Sequence, residues 1–513
     1  MNDIYCSYYT KNKNITSYMI SMVNPTHGDI FLEPCGGDGM FIDALLEHSP
    51  KIHIDTCDLD LSAVEIMRSK YAGLPNVAVR TADTLTDKLF DEYSNHGYYD
   101  KIIGNPPYGG WQEHERRSDL KRKFKGFYVK ETYTLFLLRC ISLLKEKGVL
   151  SFIIPDTFLF LHNHKKLRQF LLNNTIIREI VVFPSKFFPG VSFGYSNLSI
   201  ITLEKETFGN KKEKNVFPVI KGLKSDNDLF DLSVGQKKAL GSALELPQRD
   251  ILHNPEYAFL IGDKRTNQSI VSSETKLADI ADCVTGIYCG NNKEFLALAN
   301  GNHRKIQNYP EIDIDNIDFE HKSIAPLGTS KEYITIVKGS SSTSYYRTSD
   351  KWLIKWSESA LHHYNNDKKA RFQNSRYYFR DGIALPMVKS TKIKASLMRG
   401  EVFDQSIVGV FPHEEKYLLY LLAYLNSDTA NKYIHTINPT ANNSANYLKK
   451  LPVYLPTESE MRMIDGLVMD ILKSGNVEPY HKQINSFFEN CIKKIKIVPS
   501  VNKCEQMNLA TFF

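Results

Sequence analysis

Apolar positions between residues 29 and 204 fall into two alternating patterns. Short runs of β-branched and apolar residues, typical of buried strands, occupy 29–33, 52–57, 77–80, 101–104, 149–154, 176–183 and 197–204. Between them, apolar residues three and four apart predict helices over 40–47, 61–70, 131–146 and 163–172. Strands that alternate with helices in this way form a parallel sheet covered by crossover helices. The pattern therefore predicts an α/β fold with a Rossmann-like, doubly wound sheet.

The pattern changes after residue 205. Residues 209–215 predict an exposed turn. Beyond about residue 245, turn-rich segments carry Tyr, Trp, Asn and Lys, and the chain ends in helical stretches near 458–473 and 479–497. We therefore predict two domains, a doubly wound domain over residues 1–245 and a second domain of mixed α+β structure over residues 246–513.

The composition is that of a soluble globular protein, since 42% of the 513 residues are hydrophobic and 24% are charged. The sequence has no run of about 18 apolar residues, and its first residues lack the basic and apolar regions of a signal peptide. We expect a cytoplasmic protein without a membrane partner. Eight cysteines lack C-x-x-C pairs and histidines at zinc-ligand spacing, so we expect reduced thiols and no metal. The net charge of +6 does not by itself indicate nucleic acid.

A glycine-rich turn at residues 34–39, which we call the donor turn, follows the first predicted strand and includes Pro34, Cys35 and Gly36. Ligands of open α/β sheets bind at the carboxyl ends of the strands. The turn is not G-x-G-x-x-G, and the carboxylates of Glu33 and Asp38 would repel a pyrophosphate. S-adenosylmethionine fits better, because it carries a sulfonium and an ammonium but no phosphate. A plain strand-to-helix turn is the alternative for these glycines.

Two further acidic residues follow predicted strands. We expect Asp58 to accept hydrogen bonds from the donor's ribose hydroxyls, and Asp83 to accept one from its adenine amino group. Thr10 precedes an apolar helix and is expected to cover the methionine end. A helix cap is the alternative for Asp58. Three acidic strand ends in this order favour a donor site.

The segment Asn105, Pro106, Pro107 and Tyr108 directly follows the predicted strand 101–104. The side-chain oxygen of Asn105 and the carbonyl of Pro106 would accept both hydrogens of an exocyclic amino group, and the nitrogen lone pair would then face the methyl group. The prolines restrict the turn, and the Tyr108 ring can stack on a flat base. Because Asn105 also borders the donor site, the segment predicts methyl transfer to an amino nitrogen. A proline-rich turn without chemistry is the alternative.

A base in duplex DNA must leave the helix to reach such a site. We expect Phe188 to stack on the face of the base opposite to Tyr108, although a core position is an equal alternative. Cytosine carbon-5 methylation would use a Pro-Cys nucleophile, and Cys35 follows Pro34. That cysteine lies inside the donor turn, so we interpret it as a packing residue.

Basic and aromatic residues predict contacts with DNA in two places. One is the basic run behind the 105–108 segment, with Arg116, Arg117, Lys121, Arg122 and Lys123. The other is the second domain, with Tyr345, Arg347, Trp352, Trp356 and Arg376. The alternatives are a solvated charged face for the run and an ordinary aromatic core for the tryptophans.

These residues, in this order, resemble the gamma class of DNA adenine-N6 methyltransferases, the TaqI-like enzymes of bacterial type II restriction-modification systems. The resemblance covers about residues 9–204 and rests on Thr10, the turn at 33–36, Asp58, Asp83, the 105–108 segment and Phe188. It implies a site-specific, adenine-specific DNA methyltransferase that binds S-adenosylmethionine and flips its target adenine. It also implies a catalytic domain over residues 1–245 and a DNA target-recognition domain with C-terminal helices over residues 246–513. The donor turn departs from the commoner Ala-Cys-Gly-x-Gly form, which leaves the individual donor contacts open.

The resemblance also implies partners. We expect double-stranded DNA as the substrate, a separately encoded cognate restriction endonuclease, a monomer, and a cytoplasmic, nucleoid-associated location. The 105–108 segment is shared with enzymes that methylate RNA or a protein glutamine, so both stay open as alternatives. A non-catalytic DNA-binding specificity protein is the alternative from another class.

Overall fold

The computed structural model of the protein describes residues 10–109, 114–188, 197–235, 242–300, 309–328, 330–339, 343–347, 352–388, 392–439 and 443–494. The chain divides into two compact units, the first extending to Ile261 and the second beginning at Gly262. The predicted boundary at residue 245 falls inside the last strand of the first unit, because that strand pairs with its neighbour in the first unit's sheet. Within these ranges, no helix is long and apolar enough to cross a membrane.

The first unit is built on a nine-stranded sheet. Its strands are β1 (Ile30–Glu33), β2 (His53–Asp58), β3 (Val77–Thr81), β4 (Tyr99–Gly104), β5 (Leu144–Pro155), β6 (Thr175–Pro184), β7 (Asn197–Lys205), β8 (Val216–Lys221) and β9 (Ser242–Pro247). Its α-helices are α1 (Lys13–Val23), α2 (Met40–His48), α3 (Leu61–Tyr71), α4 (Lys88–Ser94), α5 (His114–Lys123), α6 (Tyr133–Leu143), α7 (Lys165–Asn174), α8 (Lys211–Lys214), α9 (Asn227–Ser233) and α10 (Gln248–Ile251).

The strand order is β3-β2-β1-β4-β5-β7-β6-β8-β9. Neighbours from β3 to β5 are parallel, whereas β7 lies antiparallel between β5 and β6. The 3-2-1-4-5 order is that of a doubly wound sheet, and the helices between these strands cover it. The structure therefore confirms the predicted Rossmann-like α/β fold.

The predicted strands and helices of the first unit are present, with shifts at their ends. The helix predicted over 131–146 is the exception, because α6 ends at Leu143 and β5 begins at Leu144. Tyr99 of β4 pairs with Leu144, and Lys147 takes a positive φ of 67°. Pairing with β4 thus outweighs the helical spacing of this charged stretch. The predicted turn at 209–215 contains the short exposed helix α8.

The second unit has mixed α+β structure, as predicted. Its strands are β10 (Ala281–Thr285), β11 (Leu296–Ala299), β12 (Glu311–Ile312), β13 (Ile317–Asp318), β14 (Tyr333–Val337), β15 (Trp352–Lys355), β16 (Gly382–Pro386), β17 (Ser396–Met398), β18 (Val402–Phe403) and β19 (Ile407–Pro412). Its α-helices are α11 (Lys264–Ser272), α12 (Leu277–Ile280), α13 (Asn292–Phe295), α14 (Glu358–Asn366), α15 (Leu418–Asn426), α16 (Asp428–Ile437), α17 (Ala445–Leu448), α18 (Glu458–Ser474) and α19 (Glu478–Lys494).

Two sheets form the centre of this unit. One is antiparallel with the order β10-β19-β16-β17, and the other has the order β12-β11-β15-β14-β13, with β18 paired to β14. The helix α18 begins at a capping box, in which Thr457 and Glu460 satisfy each other's backbone N–H, and ends at Gly475 with φ 68°. Its apolar stripe packs on α15, as expected for an amphipathic helix.

Candidate active site

The donor turn and the 105–108 segment meet at one edge of the first sheet. They follow β1 and β4, which are parallel neighbours with Phe31 opposite Lys101 and Leu32 opposite Ile102. The strand order turns outward on both sides of this pair, and such a switch point opens a crevice at the carboxyl ends of the strands. The two turns touch, because Cys35 Sγ donates to the backbone oxygen of Asn105 at 3.3 Å. We call this side of the sheet the carboxyl edge.

Asp58 holds the backbone of the donor turn. Its Oδ2 accepts from the N–H of Gly37 at 2.9 Å, and its Oδ1 accepts from the N–H of Asp60 at 3.0 Å. Burial raises the pKa of Asp58, although these backbone hydrogen bonds oppose the shift. The helix cap of α3 is Asp60, not Asp58. The predicted contact of Asp58 with a ribose stays a prediction.

Glu33 carries a buried carboxylate at the end of β1. It is only 2% exposed, and its Oε2 has no hydrogen-bond partner among the described residues. Burial raises its pKa well above the ordinary value, and repulsion from Asp58, Asp38 and Asp43 adds to the effect. A buried oxygen without a partner is costly, so this position suits a ligand that brings a cation or hydrogen-bond donors. The residues present therefore fit a positively charged methyl donor.

The remaining donor-turn residues are held in place by residues in or next to the strands of the sheet. The backbone oxygen of Pro34 accepts from Thr84 Oγ1 at 2.5 Å, and a Cβ on Gly36 would lie 2.3 Å from Thr56 Oγ1. Only glycine allows that approach. Burial, followed by repulsion from Glu33, raises the pKa of the Cys35 thiol. Since the thiolate is the nucleophile, Cys35 is chemically inert here, which favours its interpretation as a packing residue.

Asp83 and Arg116, predicted for different roles, form an ion pair with 3.1 Å between Oδ2 and Nη2. Asp83 also accepts from the N–H of Leu85 at 3.0 Å and from the hydroxyl of Thr86 at 2.9 Å. The structure thus brings the first basic residue of α5 to the strand end expected to bind the donor's adenine.

The Asn105 side chain is held at both ends of its amide. Nδ2 donates to Thr10 Oγ1 at 3.1 Å, and Oδ1 accepts from the Tyr108 hydroxyl at 2.6 Å. Thr10 and Tyr108 are buried, whereas Asn105 and Pro107 are partly exposed and Pro106 is buried. The amide plane is therefore fixed, while the residue stays accessible. The structure brings Thr10 and Asn105, two of the predicted site residues, into direct contact.

Phe188 lies in the loop after β6 and is 3% exposed, in the same apolar cluster as Tyr108, which agrees with the core alternative. Its stacking on a base stays a prediction. Its neighbour Phe187 accepts a hydrogen bond from Asn12 Nδ2 at 3.2 Å through its backbone oxygen. The side-chain oxygen of Asn12 also caps α1. Asn12 therefore connects the segment that carries Thr10 to the loop that carries Phe188.

The five basic residues of the run that was predicted to contact DNA lie on α5, and they divide into two groups. Arg116 pairs with Asp83, and Lys123 pairs with Asp91 at 2.5 Å, so both hold the helix against the first unit. Arg117, Lys121 and Arg122 are exposed, and Arg122 pairs with Asp119 of its own helix at 2.8 Å.

Burial corrects three of the predicted DNA contacts in the second unit. Trp356 is 0% exposed and donates from Nε1 to the backbone oxygen of Ser323 at 3.3 Å, and Trp352 packs edge-to-face on Tyr309. Tyr345 is also fully buried. These rings stabilise the core and do not reach the surface, so the alternative of an aromatic core holds for them. Arg347 is partly exposed and donates to the backbone oxygen of Lys338 at 3.1 Å. Arg376 is exposed.

Sequence reasoning missed Asp156. It follows β5 at the carboxyl edge, is buried, and accepts from Asn197 Nδ2 at 3.2 Å at the start of β7. Burial raises its pKa to about 6. The signal was available, because Asp156 lies two residues beyond the predicted strand 149–154, and Asp58 and Asp83 likewise lie within three residues of the ends of theirs. Within the described residues, His, Cys, Asp and Glu side chains form no group of three that could hold a metal ion.

Comparisons with known proteins agree with the predicted resemblance. Residues 54–188 match the family model described as an Eco57I restriction-modification methylase. The Type II methyltransferase M.AccI of Acinetobacter calcoaceticus is 26% identical over 277 residues, which cover 52% of this chain and 48% of the relative. The Type II methyltransferase M.HincII of Haemophilus influenzae is 29% identical over 212 residues, which cover 38% of this chain and 39% of the relative.

Among solved structures, the chain is similar to a nuclease-deletion mutant of the Type ISP restriction-modification enzyme LlaGI, in complex with a DNA substrate mimic. The TM-score is 0.55 at 11% identity, and the match covers 91% of this chain and 54% of that chain. At this identity the likeness concerns the fold alone. The chain spans about half the length, or less, of the curated relatives it matches. The resemblance to restriction-modification methyltransferases and the doubly wound fold are confirmed.

Proposed function

We propose that this protein is a site-specific DNA methyltransferase that transfers a methyl group from S-adenosylmethionine to the N6 amino group of an adenine flipped out of duplex DNA. One observation carries the proposal: the Asn105 amide is fixed between Thr10 and Tyr108, at the same sheet edge as a Glu33 carboxylate oxygen that has no hydrogen-bond partner among the described residues. The matches to Type II methyltransferases support it. Its biological role is the protection of host DNA from a separately encoded cognate endonuclease.

S-adenosylmethionine supplies an electrophilic methyl group on a sulfonium. Glu33 holds a cationic or hydroxyl group of the donor, since its Oε2 is buried without a partner among the described residues. Pro34, Cys35 and Gly36 line the turn, and Thr10 covers the methionine end. Asp58 and Asp83 bind the ribose and the adenine, in addition to the backbone groups that they already accept from.

The target amino group is activated by acceptors. Asn105 Oδ1 and the carbonyl of Pro106 accept hydrogen bonds from its two N–H groups. The Tyr108 hydroxyl keeps the Asn105 amide oriented. An amide oxygen accepts two hydrogen bonds, so the bond from Tyr108 is compatible with this role. Tyr108 and Phe188 stack on the two faces of the base, which offsets part of the few kcal/mol needed to flip it. Positioning supplies much of the rate, up to about 7–11 kcal/mol in favourable cases.

Duplex DNA is contacted by the exposed cations Arg117, Lys121 and Arg122 of α5, and by Arg347 and Arg376 of the second unit. The sequence-recognising part is the second unit, and the protein acts as a monomer. Contacts of the α5 cations with phosphates position the duplex without selecting a sequence.

Product analysis tests the proposal directly. The protein is incubated with duplex DNA and methyl-labelled S-adenosylmethionine, and the DNA is digested to nucleosides for mass spectrometry. We expect N6-methyladenine with the wild type and none with Asn105→Ala. Label in N4-methylcytosine, in RNA or in a protein glutamine would replace the proposal with that activity. DNA binding without any methyl transfer would support the non-catalytic specificity protein.

A further inference from the structure

A rigid surface segment of the second unit displays two arginines. It runs over residues 371–380 and is held to the neighbouring chain by amide side chains: Gln373 Nε2 donates to the backbone oxygen of Gly286 at 2.9 Å, and Asn374 Nδ2 donates to that of Thr285 at 2.9 Å. Asn374 and Phe379 have positive φ values of 58° and 60°, which residues with a Cβ rarely adopt. The fold thus maintains an unfavourable backbone at this place, which is common at functional sites.

Tyr377 lies at the centre of this segment and is 2% exposed. Its hydroxyl donates to Asp282 Oδ2 of β10 at 2.6 Å and accepts from Arg376 Nη2 at 2.9 Å. The guanidinium carbons of Arg376 and Arg380 lie 4.9 and 5.6 Å from the ring centroid, within cation–π distance. We call Asp282, Arg376, Tyr377 and Arg380 the Tyr377 cluster.

The charges of the Tyr377 cluster do not balance. Asp282 is the carboxylate that faces it, against two guanidinium groups and the imidazole of His413, whose Nε2 lies 3.6 Å from Asp282 Oδ1. Arg380 makes no ion pair or hydrogen bond with any described residue, and it is exposed, as is Arg376. By contrast, Arg399 pairs with Asp381 at 2.6 Å. The cluster therefore offers oriented, uncompensated guanidinium groups to a partner rich in acceptors.

We propose that Arg376 and Arg380 recognise guanine bases in the major groove of the target DNA. The inference rests on the proposed function, which makes duplex DNA the substrate. A guanidinium held against a ring presents a fixed pair of N–H donors, and guanine offers O6 and N7 at matching spacing. A phosphate also accepts a bidentate guanidinium, but it is the same at every base pair, so a phosphate contact would not discriminate between base pairs. Tyr377 and Asp282 are positioning residues, because they act through the arginines.

Lysine substitutions separate base recognition from phosphate contact, since they keep the charge and remove the paired donors. Sequencing of DNA methylated by the wild type defines its recognition sequence. Dissociation constants are then measured for that duplex and for duplexes with each G·C pair replaced by A·T, using wild type, Arg376→Lys, Arg380→Lys and Arg399→Lys. We expect Arg376→Lys and Arg380→Lys each to lose about five- to 150-fold of discrimination at one guanine position. Arg399→Lys, the matched control, keeps the wild-type discrimination.

Tyr377→Phe gives a second readout. It keeps the ring under both arginines but removes the hydroxyl that holds Arg376, so discrimination at the Arg376 position falls while that at the Arg380 position is retained. A purely structural role of Tyr377 would lower thermal stability and leave the ratio between the two positions unchanged.

The outcomes distinguish this inference from the proposed function. If the wild type methylates adenines in a sequence that contains no G·C pair, or if both lysine variants discriminate as the wild type does, the arginines do not recognise guanine and the methyltransferase assignment stands. If the wild type transfers no methyl group to any duplex, both fail together. Loss of discrimination at a guanine, with methyl transfer retained, supports both.

Discussion

The phenolic hydroxyl of Tyr108 donates a 2.6 Å hydrogen bond to Oδ1 of Asn105. This bond fixes the orientation of the Asn105 amide, because its oxygen faces Tyr108 and its nitrogen donates to Thr10. In a methyltransferase, the tyrosine would then serve twice, once through its ring and once through its hydroxyl. The two contributions can be measured apart.

Tyr108→Phe keeps the ring and removes the hydroxyl. A single hydrogen bond contributes about 0.5–1.5 kcal/mol, so we expect kcat to fall roughly three- to tenfold with KM for DNA nearly unchanged. Tyr108→Ala also loses stacking, worth about 1–3 kcal/mol, and should weaken DNA binding as well. Steady-state kinetics of the two variants provide the test. An equal loss in both would mean that the hydroxyl carries the whole effect.

Asn105→Ala removes the side-chain acceptor for the target amino group. We expect methyl transfer to fall below detection, while donor affinity measured by calorimetry stays within a few-fold of the wild type, because the donor is held by Glu33 and the donor turn. Thr10→Val is the matched control, since it removes only the hydroxyl that orients the amide. It should reduce turnover partially. Turnover of Asn105→Ala near the wild-type rate would exclude the proposed role.

Glu33→Gln tests the buried carboxylate through pH. The pKa of Glu33 is raised by burial and by neighbouring acids, so the native state binds a proton more tightly than the unfolded chain, whose glutamates titrate near 4.3. As pH rises from about 4.3 through the raised native pKa, Glu33 therefore lowers the stability of the wild type. The carboxylate that forms binds the cationic donor, so donor affinity rises over the same interval.

In the Glu33→Gln variant the contribution of Glu33 to both pH dependences should disappear. Urea unfolding at several pH values and calorimetric titration with S-adenosylmethionine measure them separately. We expect the variant to gain stability relative to the wild type as pH increases, and to bind the donor more weakly at high pH. A parallel pH profile of donor affinity in the two proteins would contradict the assignment.

The two groups of cations on α5 predict different phenotypes. Lys121 is exposed, whereas Lys123 pairs with Asp91, which also accepts from the buried Arg139. Lys121→Ala should reduce the slope of log K against log salt for DNA binding by about 0.9, the value for one phosphate contact. Lys123→Ala should leave this slope unchanged and lower thermal stability. Identical slopes in Lys121→Ala and the wild type would mean that the basic residues of α5 form a solvated face and do not contact phosphates.

Substitution of Trp356 tests its assignment to the core of the second unit. The ring is fully buried, so Trp356→Ala should destabilise this unit by about 3–5 kcal/mol, as large-to-small core substitutions do. Denaturant unfolding measures the loss. At temperatures where the variant is folded, we expect its DNA affinity to equal that of the wild type. A loss of DNA affinity in the folded variant would mean that Trp356 contacts DNA.

The parts of the fold that the sequence predicted share one physical origin. Buried parallel strands are continuous apolar runs, and turns at their carboxyl ends carry the ligand-binding residues, so both Glu33 and Asn105 were identifiable. The end of α6 was not, because residues 144–146 continue the helical spacing, whereas Leu144 pairs with Tyr99 of β4. Aromatic residues among basic ones indicate either a surface or a core, and only packing separates Trp356 from Arg376.

The antiparallel strand β7 has a further consequence. β6 ends at Pro184, opposite the first residue of β7, Asn197, so the connection that carries Phe188 leaves and re-enters the sheet on the same side. Since β6 and β7 pair directly, their pairing does not depend on how many residues connect them, and each doubling of a connection costs only about 0.6 kcal/mol. Lineages of such a fold can therefore lengthen or rewrite this hairpin while the sheet, the donor turn and Asn105 stay as they are. Under the proposed function, the loop that carries a base-contacting residue can therefore change without any change in the residues that transfer the methyl group.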